Sequence, residues 1–276
     1  MSAGGARRAA ARRLAPLCAA GVLLAGCAST STTPSFTVVP GVSEVDLQWK
    51  PRQGMRLVQR VNTDVEMSGP LTTPVPSKDR KQRITLTRTI EVPSVGDDYF
   101  DMRFIQDGWV VPATVRFSRA WAQQGVRFDN PALSAQDQSL VDGMVRRLTQ
   151  PFEQAAPLFG RWRVGETKPF AIRFTGLPDT SGSGTGAMTF RRVVTIDGRR
   201  AAELDWRGTT EFLFTGEPGR GMPGHMTIAG TEWRDLETGV ALRGTAKAEA
   251  EFTRQGRPTR VEYQTVESLD LAASTL

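Results

Sequence analysis

The chain has 276 residues, with 35 lysines and arginines against 29 aspartates and glutamates, one histidine, two cysteines and a formal net charge of +6. Its first 26 residues contain four of the arginines and no acid, so the rest holds 31 basic and 29 acidic residues. Such a near-balanced chain lacks the clustered basic face that a phosphate backbone needs, and we expect no nucleic-acid partner. Histidine-dependent catalysis and multi-histidine zinc sites are limited to one imidazole.

The N-terminal segment has the layout of an export signal. Its cationic start consists of Arg7, Arg8, Arg12 and Arg13. A mostly apolar run follows from Leu14 to Gly26 and ends in small residues. The run is about half of the ~20 residues that a membrane-spanning helix requires. We therefore interpret residues 1–26 as a signal peptide rather than a membrane anchor.

The signal ends in Leu24-Ala25-Gly26-Cys27, which resembles the lipobox of bacterial lipoproteins. The resemblance implies cleavage before Cys27 and attachment of a diacylglycerol to its thiol. Because Ala28 and not an aspartate follows, the family's sorting pattern implies the periplasmic face of the outer membrane, with the inner membrane as the alternative. An ordinary signal peptide with a chance cysteine is the other interpretation. Loss of Cys18 with the signal leaves no thiol for a disulfide or a thiolate metal site.

The composition of residues 27–40 predicts a flexible tether, and residues 41–276 predict one folded domain. From about residue 44, apolar and polar residues alternate with period two, which predicts strands with one buried face. The clearest runs are Phe170, Ile172 and Phe174, then Ala202, Leu204 and Trp206, then 244–252. Other strands are predicted near 55–67, 82–92, 98–106, 109–117, 189–197, 209–215, 226–234 and 259–271. Short turn signals such as Asp197-Gly198 separate them and favour an antiparallel meander.

One segment has helical spacing instead. Ser134 can cap a helix, and Pro151 would end it. Its apolar positions are Leu140, Val141, Met144, Val145 and Leu148. We predict an amphipathic helix over about 134–150, lying on the concave face of the sheet.

Three motifs contain residue types that are typical of catalytic or ligand-binding sites. The glycine-rich run 182–186 is typical of a hairpin loop rather than a phosphate loop, because a strand and not a helix follows it. His225, between Met222 and Met226, would suit Cu(I), but a Gly/Pro turn favours an exposed loop tip. Glu249 and Glu251 alternate with alanines, which indicates a solvent-facing strand surface rather than a glycosidase pair. We expect no enzyme, no cofactor and no metal.

The inner face of the 244–252 strand consists of small residues, among them Ala246 and Ala248, and of Phe252. Small side chains leave room, which the 134–150 helix fills or which forms a cavity for an acyl chain. In the second case Phe170, Ile172 and Phe174 would line one wall. Leu140, Met144 and Leu148 would form the lid.

A lipobox, a long meander and one helix together resemble the half-barrel of LolA/LolB-type proteins. That resemblance implies a fold that holds lipoprotein acyl chains. The chain is also similar to uncharacterised bacterial lipoproteins that contain a Trp-x-x-Gly turn, here at Trp162 to Gly165, and an Asp-x-x-Thr-Gly hairpin, here at Asp235 to Gly239. We therefore expect a membrane-anchored, non-enzymatic binding module for an acyl chain or another apolar ligand. The alternative is an interaction lipoprotein with a filled core, whose loops at 68–80, 176–187 and 215–225 contact an envelope protein.

Overall fold

The computed structural model describes residues 36–68, 81–107, 111–129, 156–177, 180–214, 221–254 and 257–276, with single positions between 143 and 154. A 3₁₀ turn covers Ala156–Leu158. The described residues form fourteen strands: β1 Thr37–Val38, β2 Glu44–Leu47, β3 Arg56–Ser68, β4 Lys81–Val95, β5 Tyr99–Gln106, β6 Ala113–Ser118, β7 Gln123–Phe128, β8 Gly160–Arg163, β9 Thr167–Leu177, β10 Thr180–Ile196, β11 Arg199–Phe214, β12 Met222–Asp235, β13 Ala241–Arg254 and β14 Arg257–Leu269.

Twelve of these strands build one open antiparallel sheet in the order β1-β10-β11-β12-β13-β14-β3-β4-β5-β6-β7, and β9 also pairs with β10. Strands β2 and β8 form a separate antiparallel pair. Consecutive strands mostly lie side by side because their connections are short. The prediction of a mainly β, antiparallel meander is confirmed. The predicted turn at Asp197-Gly198 and the hairpin at Asp235 to Gly239 do join neighbouring strands.

The prediction of a loop over the glycine-rich run 182–186 is wrong. These residues lie inside β10, which pairs with β9 on one side and β11 on the other. Hydrogen bonding along both edges outweighs the conformational freedom of glycine. For the same reason most of the predicted loop 176–187 is strand. Strand β11 is likewise continuous where two strands were predicted.

Two further predictions fall largely outside the described residues. The first is the tether at 27–40, of which residues 27–35 lie outside the described part of the chain. Thr37 and Val38, in contrast, pair with Thr195 and Val194 and so belong to the sheet. Most of the predicted helix 134–150 also lies outside. Its described positions 143, 145, 149 and 150 have helical backbone. No bounded α-helix occurs in the described part of the chain, so the amphipathic helix is not supported.

The sheet has an apolar and a polar face, as register across five strands shows. Gly186, Gly208, Ile228, Ala248 and Tyr263 lie directly opposite one another on β10 to β14 and belong to the apolar face. The next row, one residue along each strand, belongs to the polar face. It consists of Ala187, Arg207, Ala229, Lys247 and Gln264. The alternation follows from the pleat, which points successive side chains to opposite sides.

Two hydrophobic clusters form the core. The first joins β9 to β14 with the β2–β8 pair and includes Trp162, Phe190 and Leu204. The second is centred on β3 to β6 and contains Phe100, which contacts Phe117 and Trp121 at ring-centroid distances of 5.5 and 5.1 Å. Both clusters lie chiefly against the apolar face.

The Asp-x-x-Thr-Gly hairpin joins β12 to β13 and holds its own turn together. Asp235 is 2% exposed. Its Oδ2 accepts hydrogen bonds from Thr238 N at 3.0 Å, Thr238 Oγ1 at 2.6 Å and Arg199 Nη2 at 2.8 Å. Gly239 has φ +74°, a conformation that glycine adopts without strain. In the Trp-x-x-Gly turn, Trp162 is buried and its Nε1 donates to Leu158 O at 2.7 Å. Both motifs therefore have a structural role.

Candidate functional site

The structure brings the described residues of the predicted ligand wall together on the apolar face. Phe170 and Ile172 of β9 share one hydrophobic cluster with Ala246, Ala248 and Phe252 of β13. Strand register explains this: Phe170 lies opposite Gly186, whose row continues through β11 and β12 to Ala248. The sequence pattern thus identified which side chains share a face.

The predicted lid and the third residue of the wall, Phe174, have no described side chains. Leu140, Met144 and Leu148 lie outside the described residues. Phe174 lies in β9, where its backbone is opposite Gly182. The lid therefore stays a prediction.

The small-residue stretch of the apolar face is covered. Ala246 and Ala248 are 5% exposed, and Ala250 is 2% exposed. Protein atoms therefore lie directly against the three alanines. The glycines of the same face are covered too: a Cβ atom on Gly230 would lie 2.7 Å from Trp206 Cζ2, and Phe170 and Ile172 lie over Gly186 and Gly208. Large side chains thus occupy the space that the small residues leave.

A charged group interrupts the apolar face. Glu232 lies opposite Gly244, which lies opposite Glu267. Glu232 Oε1 is 2.6 Å from Arg234 Nε, yet this oxygen has no well-aligned hydrogen bond. Burial raises the pKa of Glu232, Arg234 opposes this shift in part, and Glu267 adds to it. Arg88 Nη2 pairs with Glu267 Oε1 at 3.1 Å. The buried acid is therefore held beside a second acid and two arginines.

The polar face forms two adjoining grooves. One has a volume of about 850 Å³ and extends from Gly165 and Thr167 to Gln264. The other, of about 650 Å³, extends toward Glu249 and Glu262. They share Ala187, Arg207, Ala229, Lys247 and Gln264. No pattern in the sequence predicts that these residues share a groove, because their assembly depends on register across β10 to β14.

A third groove, of about 490 Å³, lies where β3, β11 and β13 end. Its lining includes His225, whose Nδ1 is 2.9 Å from Glu211 Oε1, and Glu251. His225 lies in β12 and not on a loop tip, so that part of the prediction is wrong, although its side chain is exposed as expected. Glu249 and Glu251 do lie on the polar face, and Glu249 pairs with Arg260 at 2.6 Å.

Two general features bear on chemistry. Among the residues that the structure describes, no three His, Cys, Asp or Glu side chains are grouped so as to hold a metal ion. Within the same ranges, no helix has the length and hydropathy needed to cross a bilayer.

Comparison with known proteins gives little. No family model matches the chain, and no curated protein is similar to it. Among solved structures, the attachment invasion locus protein Ail of Yersinia pestis is similar, with 8% identity, a TM-score of 0.19, and coverage of 79% of this chain and 99% of that chain. The hypothetical lipoprotein YmcC of Escherichia coli K12 is similar with 11% identity, a TM-score of 0.21, and coverage of 74% and 85%. At such TM-scores neither similarity carries an argument about this chain.

Proposed function

We propose that this protein is a lipid-anchored envelope lipoprotein that acts without catalysis, by holding a protein partner against the surface of its sheet. Cys27 would anchor it to the outer membrane on the periplasmic side. The proposal includes a half-barrel curvature of the sheet, with the 134–150 segment on its concave side. It keeps the filled core and the envelope partner of the interaction alternative, but it assigns the contact to the sheet rather than to the loops at 68–80, 176–187 and 215–225.

The observation that carries this proposal is the covered apolar face. An acyl chain needs an apolar cavity of several hundred Å³. Ala246, Ala248 and Ala250 are at most 5% exposed, so a chain could enter beside them only if the atoms that cover them moved. A filled core leaves the outer surface as the place for binding. Acyl-chain binding is therefore the competing outcome of the test below.

The end of the sheet where β3, β11 and β13 terminate is the place where we expect contact. Leu213 lies there and is 42% exposed, which is unusual for a large apolar side chain on this otherwise polar face. Pro223 is its neighbour on β12, and the groove that contains His225 adjoins them. Leu213 and Pro223 together present apolar surface beside this groove, and apolar patches rimmed by polar residues are typical of contact sites between proteins.

Photo-crosslinking in intact membranes tests the proposal. A benzophenone amino acid at Leu213 should yield a discrete adduct with one envelope protein. The same amino acid at Val38, which is 45% exposed on β1 and lies near the other end of β10, is the matched control and should yield none. Native mass spectrometry of the protein without its lipid should show a ligand-free mass. Co-purified lipid together with no adduct at Leu213 would favour the acyl-chain function instead.

A further inference from the structure

The polar face carries two exposed cations without partners. Arg207 of β11 and Lys247 of β13 both lie opposite Ala229 of β12, one on each side. Neither makes a hydrogen bond or ion pair with its side chain in the described part of the chain. Because one strand lies between them, their Cα atoms are two inter-strand spacings apart, or about 10 Å. The small side chain of Ala229 leaves the surface between them open.

The acids around these cations are already paired with arginines, two of them with the same one. Asp205 Oδ2 accepts a hydrogen bond from Arg191 Nε at 2.6 Å, and its Oδ1 accepts one from Thr231 Oγ1 at 2.8 Å. Glu249 and Glu262 both pair with Arg260, at 2.6 and 3.2 Å. Four cations, including Arg191 and Arg260, thus lie among three carboxylates, and the net charge of +1 makes the groove attract anions.

The groove has the form of a site for an extended chain. Its two parts meet at the row that contains both cations, and each part crosses the strands on one side of that row. Hydroxyl groups border the row on both sides, from Thr209 and Thr227 on one and Thr231 and Thr245 on the other. The hydroxyls of Thr209 and Thr227 can donate to the carbonyl groups of an extended segment, whose peptide groups have no internal partners. Those of Thr231 and Thr245 already donate to Asp205 Oδ1 and Thr231 O, so they can only accept from its N–H groups.

The spacing of the cations selects one conformation of such a segment. A polyproline II chain rises about 3.1 Å per residue with three residues per turn, so side chains at positions i and i+3 point the same way and lie about 9.3 Å apart. This distance matches the separation of Arg207 and Lys247. A β-strand presents same-side residues only about 6.8 Å apart, which does not match.

We propose that the groove of the polar face binds an extended acidic segment of a protein partner, in polyproline II conformation, with carboxylates three residues apart paired to Arg207 and Lys247. This inference deepens the proposed function and rests on its assumption of a protein partner. The segment would cross β11, β12 and β13 over Ala229.

Fluorescence anisotropy of the full-length protein in non-ionic detergent tests the pairing. The probe is a labelled peptide of repeating Glu-Pro-Pro, compared with a peptide of the same composition whose glutamates are contiguous. We expect the repeating peptide to bind more tightly, and to bind less as salt concentration rises. Arg207→Gln and Lys247→Gln should each weaken binding about two- to five-fold, as expected for exposed ion pairs. Arg200→Gln is the matched control, because Arg200 is an exposed arginine near the other end of β11, and it should leave binding unchanged.

Three results would overturn the inference. One is equal binding of the two peptides, and another is binding that Arg207→Gln and Lys247→Gln leave unchanged. The third is a polygalacturonate oligosaccharide that binds through the same two residues more tightly than the peptide, which would assign the groove to acidic glycans. Failure here remains distinguishable from failure of the proposed function. An adduct at Leu213 that persists in the doubly substituted protein would support a partner while rejecting this groove as its site.

Discussion

The substitution Ala248→Leu distinguishes a filled core from a cavity by the sign of its effect. Ala248 is 5% exposed and lies opposite Ile228 and Tyr263, each 3% exposed. Leucine adds three carbon atoms. In a filled core these atoms displace neighbours, and we expect the free energy of unfolding to fall by about 2 kcal/mol, within the usual range for overpacking. Beside an empty apolar cavity the same atoms would be buried without strain and would raise it by about 2 kcal/mol.

Urea unfolding of the protein without its lipid measures this difference. The midpoint should fall while the slope with denaturant stays unchanged, which shows that stability and not compactness has changed. Ala229→Leu is the matched control, because Ala229 is exposed on the polar face, and it should shift the free energy by no more than about 0.5 kcal/mol. A more stable Ala248→Leu variant would refute the filled core and return the acyl-chain function to first place.

Further outcomes are expected at four residues. Cys27→Ser should release the protein from the membrane fraction, because two or three long acyl chains anchor far more firmly than one; membrane association at unchanged mass and amount would refute lipidation. Asp235→Ala should cost about 3 kcal/mol in urea unfolding, because it leaves the buried Thr238 donors without their acceptor and Arg199 with only the exposed Glu237 as partner. Burial raises the pKa of Asp235, but the hydrogen bonds from Arg199 and Thr238 outweigh burial and hold the pKa below its usual value. The ionised Asp235 therefore stabilises the fold above an ordinary carboxyl pKa, and this stabilisation should be lost as pH falls through the pKa of the folded protein. An acid titration in which the stability of Asp235→Asn parallels that of the unsubstituted protein would contradict this. Burial raises the pKa of Glu232, so its negative charge destabilises the fold more and more as pH rises from the ordinary carboxyl pKa through the pKa in the folded protein. The stability of Glu232→Gln relative to the unsubstituted protein should therefore increase over that pH range. A constant difference in stability would contradict this. Finally, although His225 lines the groove beside Leu213, its imidazole is already engaged by Glu211, so His225→Ala should leave crosslinking at Leu213 unchanged; a lost adduct would give the imidazole a role in the contact.

Much of the sheet is predictable from the sequence, because a strand with one buried face must alternate apolar and polar residues. Residues 244–252 and 226–234 illustrate this, and both lie within strands that the structure confirms. Turn residues mark the ends of the strands for a local reason: Gly198 and Gly239 have positive φ, which few other residues tolerate.

The same local reasoning misplaced the glycine-rich run 182–186. Glycine favours turns when the chain is considered alone. In the folded protein, β9 and β11 satisfy the backbone of β10 along both edges, and Phe170 and Ile172 lie over Gly186 and Gly208. Partners distant along the chain decided the conformation, and no local pattern reports them.

By itself, the sequence determined the fold class, the two faces of the strands and the expected lipid address, since each depends on residues close together in the chain. Tertiary structure alone decided what those faces do. Only the register of five strands places Arg207 and Lys247 on either side of Ala229. Only packing covers Ala246 and Ala248, whose small size in the sequence suits a cavity and a filled core equally well. Register and packing join residues far apart in sequence, and the alternation of a single strand contains no information about its neighbours.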